Sequence, residues 1–211
     1  DYERWQPAIS LYGLDTGIIQ GFFRWLWSAV QGTPPPPRFY TVPVTEKFAD
    51  SIWYSFALGS VAFIFEIIIA IPLGILSARK QYSKTDYAVT VFGLLGISLP
   101  TFFFATILKL VFSIKLGWFE LYGTVGRFYN QLGPWGQFFD ICKHYVLPVF
   151  TLVFISVGGL MRYTRTNMLE VLNSDYIRTA RAKGLPEKRV INYHAFRNTL
   201  NPIVTLLGGS L

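Results

Sequence analysis

The residues from Leu169 to Pro202 read LEVLNSDYIRTARAKGLPEKRVINYHAFRNTLNP, and their chemistry is that of docking. Asn173, Ser174 and Asp175 offer side-chain oxygens for a helix start, Gly184 supplies a left-handed stop, and Pro186 opens a second helix at its first turn. Helix, break, helix is the predicted order. Tyr176, Ile177 and Ala180 recur at one-turn spacing, with Arg178, Arg181 and Lys183 around them and Thr179 and Ala182 filling the turns. This predicts an apolar knob in a basic collar, shaped for a partner's groove. A basic loop that only fixes topology and touches anionic lipid would carry the same charges. The ordered break at Gly184 favours the docking element.

Other reactive residue types are sparse. Glu66 falls near the middle of a long apolar run, where a carboxylate costs roughly 2.5 to 3.5 kcal/mol, so it is expected to face protein or water, as a pore-lining group or as a structural hydrogen-bonding group. Pro72 and Pro100 are expected to kink their helices. Gly158 and Gly159 should admit a neighbouring helix. His144 and His194 fall on opposite sides of the predicted topology and cannot share a metal ion, and the lone Cys142 reads as a small buried residue, not a nucleophile. The pattern G-x-x-x-x-G-K-[ST] is absent from the 211 residues, so the chain lacks that cradle for nucleotide phosphates. No catalytic residue, cofactor site or metal site is assigned.

The elements that must carry these residues are set by composition. The chain is 52% hydrophobic and 15% charged, with a mean hydropathy of +0.37, which leaves too little polar surface for a soluble domain of this length and points to lipid as the solvent. One cysteine allows no internal disulfide. The fold class expected is an all-α integral membrane protein, a multi-span helical bundle. Residues 1–51 are read as an extracytoplasmic segment holding the stiff run Pro34 to Pro37 and a short interfacial or packed helix over Gly17 to Val30. Residues 52–211 are read as the transmembrane domain. Its spans are placed at about 52–78, 87–114 and 144–161, with an incomplete one at 199–211. Loop 115–143 is read as irregular, and 168–198 as the docking loop. A first span before Asp1 and further spans after Leu211 are expected to be missing from this chain.

Orientation follows from Lys and Arg in short loops, which stay on the cytoplasmic side. The loops after the first and third spans hold Arg79, Lys80, Lys84, Arg162, Arg165, Arg178, Arg181, Lys183, Lys188, Arg189 and Arg197, which is 11 of the 19 basic residues. Both loops are therefore expected inside. The net charge of +7 is explained by this bias, and a nucleic-acid surface is not expected.

With these residues in view, the run MLEVLNSDYIRTARAKGL from Met168 to Leu185 resembles the coupling loop of binding-protein-dependent ABC importer permeases, in the oligopeptide/dipeptide branch. The wider family pattern has Glu-Ala-Ala, three residues, then Gly. Aligned on Gly184, those positions hold Arg178, Thr179 and Ala180, so only Ala180 and Gly184 agree, and a later Ile position holds His194. The similarity continues in LGISLPTFFFATILKLVFSIKLGW (Leu95 to Trp118) and IPLGILSARK (Ile71 to Lys80). The resemblance implies a transport subunit that is not itself an enzyme, lying in the bacterial plasma membrane. It further implies a second permease subunit, two cytoplasmic ATPase subunits that hold ATP and Mg, and an extracytoplasmic solute-binding protein, with residues 176 to 184 as the ATPase contact. Peptides are the implied cargo; permeases of this type for sugars or metal complexes are alternatives. From a different class, an ion-gradient-driven secondary transporter or channel would use Glu66 as its coupling site.

Overall fold

A computed structural model describes residues 17–32 and 44–209. The run Pro34 to Pro37 and the last two residues of the expected fourth span lie outside the described residues. The chain divides into two compact units, Asp1–Ala57 and Leu58–Leu211. Among the described residues all regular structure is helical.

In the first unit, α1 (Ile18–Val30) is a single amphipathic helix. At 100° per residue, Gln20, Gly21, Arg24 and Ser28 fall on one narrow face, and the remaining arc is apolar, with Phe22, Phe23, Trp25 and Trp27 among its exposed residues. The next helix, α2 (Val44–Arg79), starts in this unit and runs uninterrupted through Pro72 into the second.

In the second unit, α3 (Lys84–Ser98) and α4 (Thr101–Leu108) replace the kinked span expected at 87–114. They meet at 101°. The cause is local: the Pro100 ring disfavours helical backbone at the residue before it, Leu99 turns extended at ψ 129°, and Pro100 itself sits outside α4, at φ −59° and ψ 131°. Pro100 is thus a break and not a kink. A π-helical turn, Lys109–Lys115, continues α4.

Helix α5 (Pro134–Leu172) has 39 residues, far more than the 144–161 span predicted, because Pro134 begins it within the supposed loop and the polar residues after Met161 continue it. Two helices, Ser51–Arg79 and Pro134–Leu172, are long and apolar enough to cross a membrane, or three if the bent pair is one span. Beyond α5 come α6 (Asp175–Ala182), a short α7 (Glu187–Arg189), a π-helical turn (Val190–Ala195) and α8 (Phe196–Gly208).

The bundle closes on small residues. A Cβ on Gly158 would collide with the Gly93 carbonyl, and one on Gly96 with the Phe154 carbonyl, so α3 lies backbone to backbone on α5. Gly74 of α2 makes a similar approach, 2.7 Å from the Met161 carbonyl for an added Cβ. Gly159, by contrast, faces open space. Around these contacts Ala70, Ile71, Val157, Leu160, Met161 and Ile203 form the core. Phe104 stacks on Phe154 at 4.5 Å, pinning α4 to the same helix beyond the bend.

Candidate functional site

The segment from Met168 to Asn198 is built on a second apolar cluster. Ile177 and Ala180 of α6 pack inward with Ala78 of α2, Met168 of α5, and Val190, Ile191 and Ala195 of the π-helical turn. The π turn has a physical role here, because its wider turn of i to i+5 hydrogen bonds accompanies the burial of Val190, Ile191 and Ala195 together in the cluster. The predicted knob is therefore corrected: Ile177 is fully buried, Ala180 is 7% exposed, and only Tyr176 of the three, at 47%, reaches solvent. Seen from outside, the segment presents Tyr176, Arg178, Thr179, Arg181, Ala182, Lys183 and Gly184. The hydrophobic spacing that suggested a partner's groove is satisfied by the chain's own core.

The local folding signals act mostly as their chemistry dictates. Ser174 occupies the start position of α6, but its hydroxyl donates to the Val171 carbonyl at 2.6 Å and caps no amide. Asp175 supplies the negative charge in the first turn and pairs with Arg178 at 3.4 Å. At the other end Gly184 takes φ +75°, as the sequence predicts. Its amide donates to Arg181 O at 2.9 Å, and the Leu185 amide donates to Ala180 O at 3.4 Å, the paired bonds of a Schellman stop. Leu185 then packs on the same apolar cluster. Across the break, Arg181 forks onto Glu187 with Nη2 to Oε1 at 2.7 Å and Nε to Oε2 at 3.1 Å. That hydrogen bond, more than the Coulomb attraction of the same partner, holds the Glu187 carboxyl below its ordinary pKa.

A second constellation was not read from the sequence. Asp86, 4% exposed at the start of α3, accepts Arg165 Nε on Oδ1 at 2.9 Å and Nη2 on Oδ2 at 2.8 Å. The Ser77 hydroxyl of α2 and the Tyr82 amide also donate to it. Tyr82 stands at φ +63°, a left-handed turn that aims its N–H at the carboxylate. Three helices, α2, α3 and α5, are thus tied at one carboxylate near the Met168 start of the Met168–Asn198 segment. A single carboxylate in a turn that already holds Arg79, Lys80 and Lys84 gives no hint of a partner 79 residues away, which is why spacing alone does not find it.

The remaining predicted residues are scattered. Glu66 is half-buried on α2 with its carboxyl at the Ser156 hydroxyl of α5. Pro100 forms the break between α3 and α4 and stays exposed. Cys142 is exposed on α5, contrary to the buried position expected. His194 packs edge-on against Tyr193, in the π-helical turn. Among the described residues no group of three or more His, Cys, Asp or Glu could hold a metal ion.

Residues 70–211 match the family described as binding-protein-dependent transport system inner membrane component. The chain is 40% identical over 209 residues to the oligopeptide transport system permease protein AppB of Bacillus subtilis (strain 168), covering 96% of this chain and 63% of that one. It is 34% identical over 222 residues to the dipeptide transport system permease protein DppB of Escherichia coli (strain K12), covering 98% and 66%. It is 35% identical over 198 residues to the oligopeptide transport system permease protein OppB of Haemophilus influenzae, covering 93% and 60%. The chain therefore spans a little under two-thirds of the length of these relatives.

Proposed function

The chain belongs to the binding-protein-dependent transport system inner membrane components, and on that premise we propose that it is the permease subunit of an ATP-driven peptide importer in the bacterial plasma membrane. Residues 176 to 184 are the contact with a cytoplasmic ATPase subunit. The observation that carries this reading is the basic-faced α6, ended by its Schellman stop and packed against the ends of α2 and α5 by Ile177 and Ala180. A loop that served only as a topology anchor would not need a buried underside, a Schellman stop and a bidentate pair across the break.

In this reading ATP and magnesium sit on two partner ATPase subunits, a second permease subunit completes the pathway, and an extracytoplasmic solute-binding protein delivers the cargo. ATPase closure pushes on the Tyr176–Gly184 face. The shared cluster passes that push to α2, α5 and the π-helical turn, because close-packed interiors shift between discrete arrangements and do not deform continuously. Peptides are the cargo favoured by the peptide-permease relatives.

The test is reconstitution of the complete transporter with its binding protein in liposomes. ATP-dependent accumulation of a labelled tripeptide, lost together with ATPase co-purification when Tyr176, Arg178 and Lys183 are changed to Ala, is the expected result. Full uptake by that triple variant overturns the assignment of the face.

A further inference from the structure

At the end of α5 away from α6, a cavity of about 450 Å³ opens among Ala105 and Lys109, the Phe119–Gly123 loop, and α5 from Lys143 to Leu152. His144 lines it with only 5% of its side chain exposed. Its Nδ1 lies 2.8 Å from the Asp140 backbone carbonyl, which can only accept, so Nδ1 carries the hydrogen and Nε2 of the neutral ring presents a lone pair. Nε2 has no hydrogen-bond partner among the described residues. Glu120 Oε2 stands 3.6 Å from it, beyond hydrogen-bonding length.

Two acceptors thus converge on one gap at the wall of a cavity, an arrangement that leaves a buried nitrogen unsatisfied until N–H protons enter between them. A metal ion would need more donors than this pair provides: Asp140 is turned to the other ring nitrogen, at 3.7 Å from Nδ1, and its Oδ2 already accepts the Gly126 amide at 2.7 Å. An ammonium group needs only two acceptors in this disposition. The rest of the cavity suits what such a group is attached to. Leu147 and Leu152 give apolar wall, while Lys109, held with its Nζ 4.7 Å from the Tyr122 ring centre, and Lys143 offer positive charge for an anion.

We propose that this cavity binds a primary ammonium group between Glu120 and His144 Nε2, and that the group is the amino terminus of a short peptide. The peptide assignment rests on the importer reading above; the ammonium site does not. An ethanolamine lipid carries the same chemistry, so the test separates the two sources.

The full-length chain is assembled with its partner permease and ATPases in phosphatidylglycerol nanodiscs and exposed to an alanyl-photoleucyl-alanine tripeptide, free or N-acetylated, followed by mapping of the label on residues 143–152. Labelling is expected to fall at least about tenfold on acetylation and on Glu120→Gln, a change that keeps shape at a half-exposed position, and to be unchanged when phosphatidylethanolamine is added. Equal labelling by free and acetylated peptide, or by parent and Glu120→Gln, overturns the site. Displacement by phosphatidylethanolamine overturns the peptide assignment. ATP-driven uptake is measured in parallel: labelling as expected without uptake leaves the ammonium site standing and sinks the importer reading, whereas normal uptake with insensitive labelling does the reverse.

Discussion

Arg165 and Asp86 form a bidentate pair, at 2.9 and 2.8 Å, that locks the α2–α3 turn to α5. Removing one partner strands a buried charge, and the cost of that is on the order of 3 kcal/mol. Arg165→Met should therefore lower the thermal midpoint of the detergent-solubilised protein more than Asp86→Leu combined with Arg165→Met. Arg165→Lys should rescue poorly, because an ammonium cannot span both carboxylate oxygens. A single variant as stable as the parent would remove the pair from the architecture.

Gly184 tests the break. A Cβ there meets nothing within 4 Å, so the whole penalty of substitution is the positive φ of +75°. Gly184→Val should cost roughly 1 to 2 kcal/mol locally, and Gly184→Asn clearly less. Membrane insertion should survive in both, while ATPase co-purification and uptake fall together in the Val variant only. Parental uptake by Gly184→Val would reduce the segment to a basic anchor.

Neighbouring residues of α6 should separate cleanly. Ile177→Ala opens a cavity under the helix and is expected to destabilise by about 2 to 4 kcal/mol, read as increased proteolysis of the 173–190 segment. Tyr176→Ala should leave proteolysis unchanged and weaken ATPase binding. The opposite pattern would restore the outward knob read from sequence.

The Arg181–Glu187 pair predicts a pH effect of known sign. Since the folded pKa of Glu187 is depressed, its contribution is present above the ordinary carboxylate range and is lost as pH falls through the folded value. Both side chains are about half exposed, so the effect is small and screened by salt. Amide exchange over Gly184–Arg189, corrected for its intrinsic pH dependence, should accelerate on acidification in the parent and be insensitive to this range in Glu187→Gln.

Topology is open to a direct check. Single cysteines at Ser83 and Ser174 should resist an impermeant thiol reagent added outside intact cells and react after permeabilisation, since both lie in the Lys- and Arg-rich loops. Labelling from outside would invert the assignment.

Much of this was legible because membrane helices are long apolar runs and because Gly184 and Pro186 punctuate the chain with few alternatives. At Pro100 the sequence indicates a kink and the structure has a full break, because hydropathy continues unbroken where the backbone cannot. Helix α5 was read too short for the converse reason, as Arg162 to Glu170 are polar yet remain helical through packing by Met161, Thr164 and Met168. The inward turn of Ile177 and the Asp86–Arg165 pair both depend on contacts distant in sequence. A periodic pattern states that a face is apolar but not what covers it.

Helix α5 also fixes an amplification ratio. One of its closest backbone contacts, Gly158 on Gly93, stands about 21 Å from the Leu172 end and about 36 Å from the Pro134 end at 1.5 Å per residue. With that backbone contact as a fulcrum, a swing of the Leu172 end by one unit of length moves His144, also about 21 Å from Gly158, by an equal amount, and the Pro134 tip by about 1.7-fold, with Pro148 the place in between where a missing amide allows some of the motion to be absorbed.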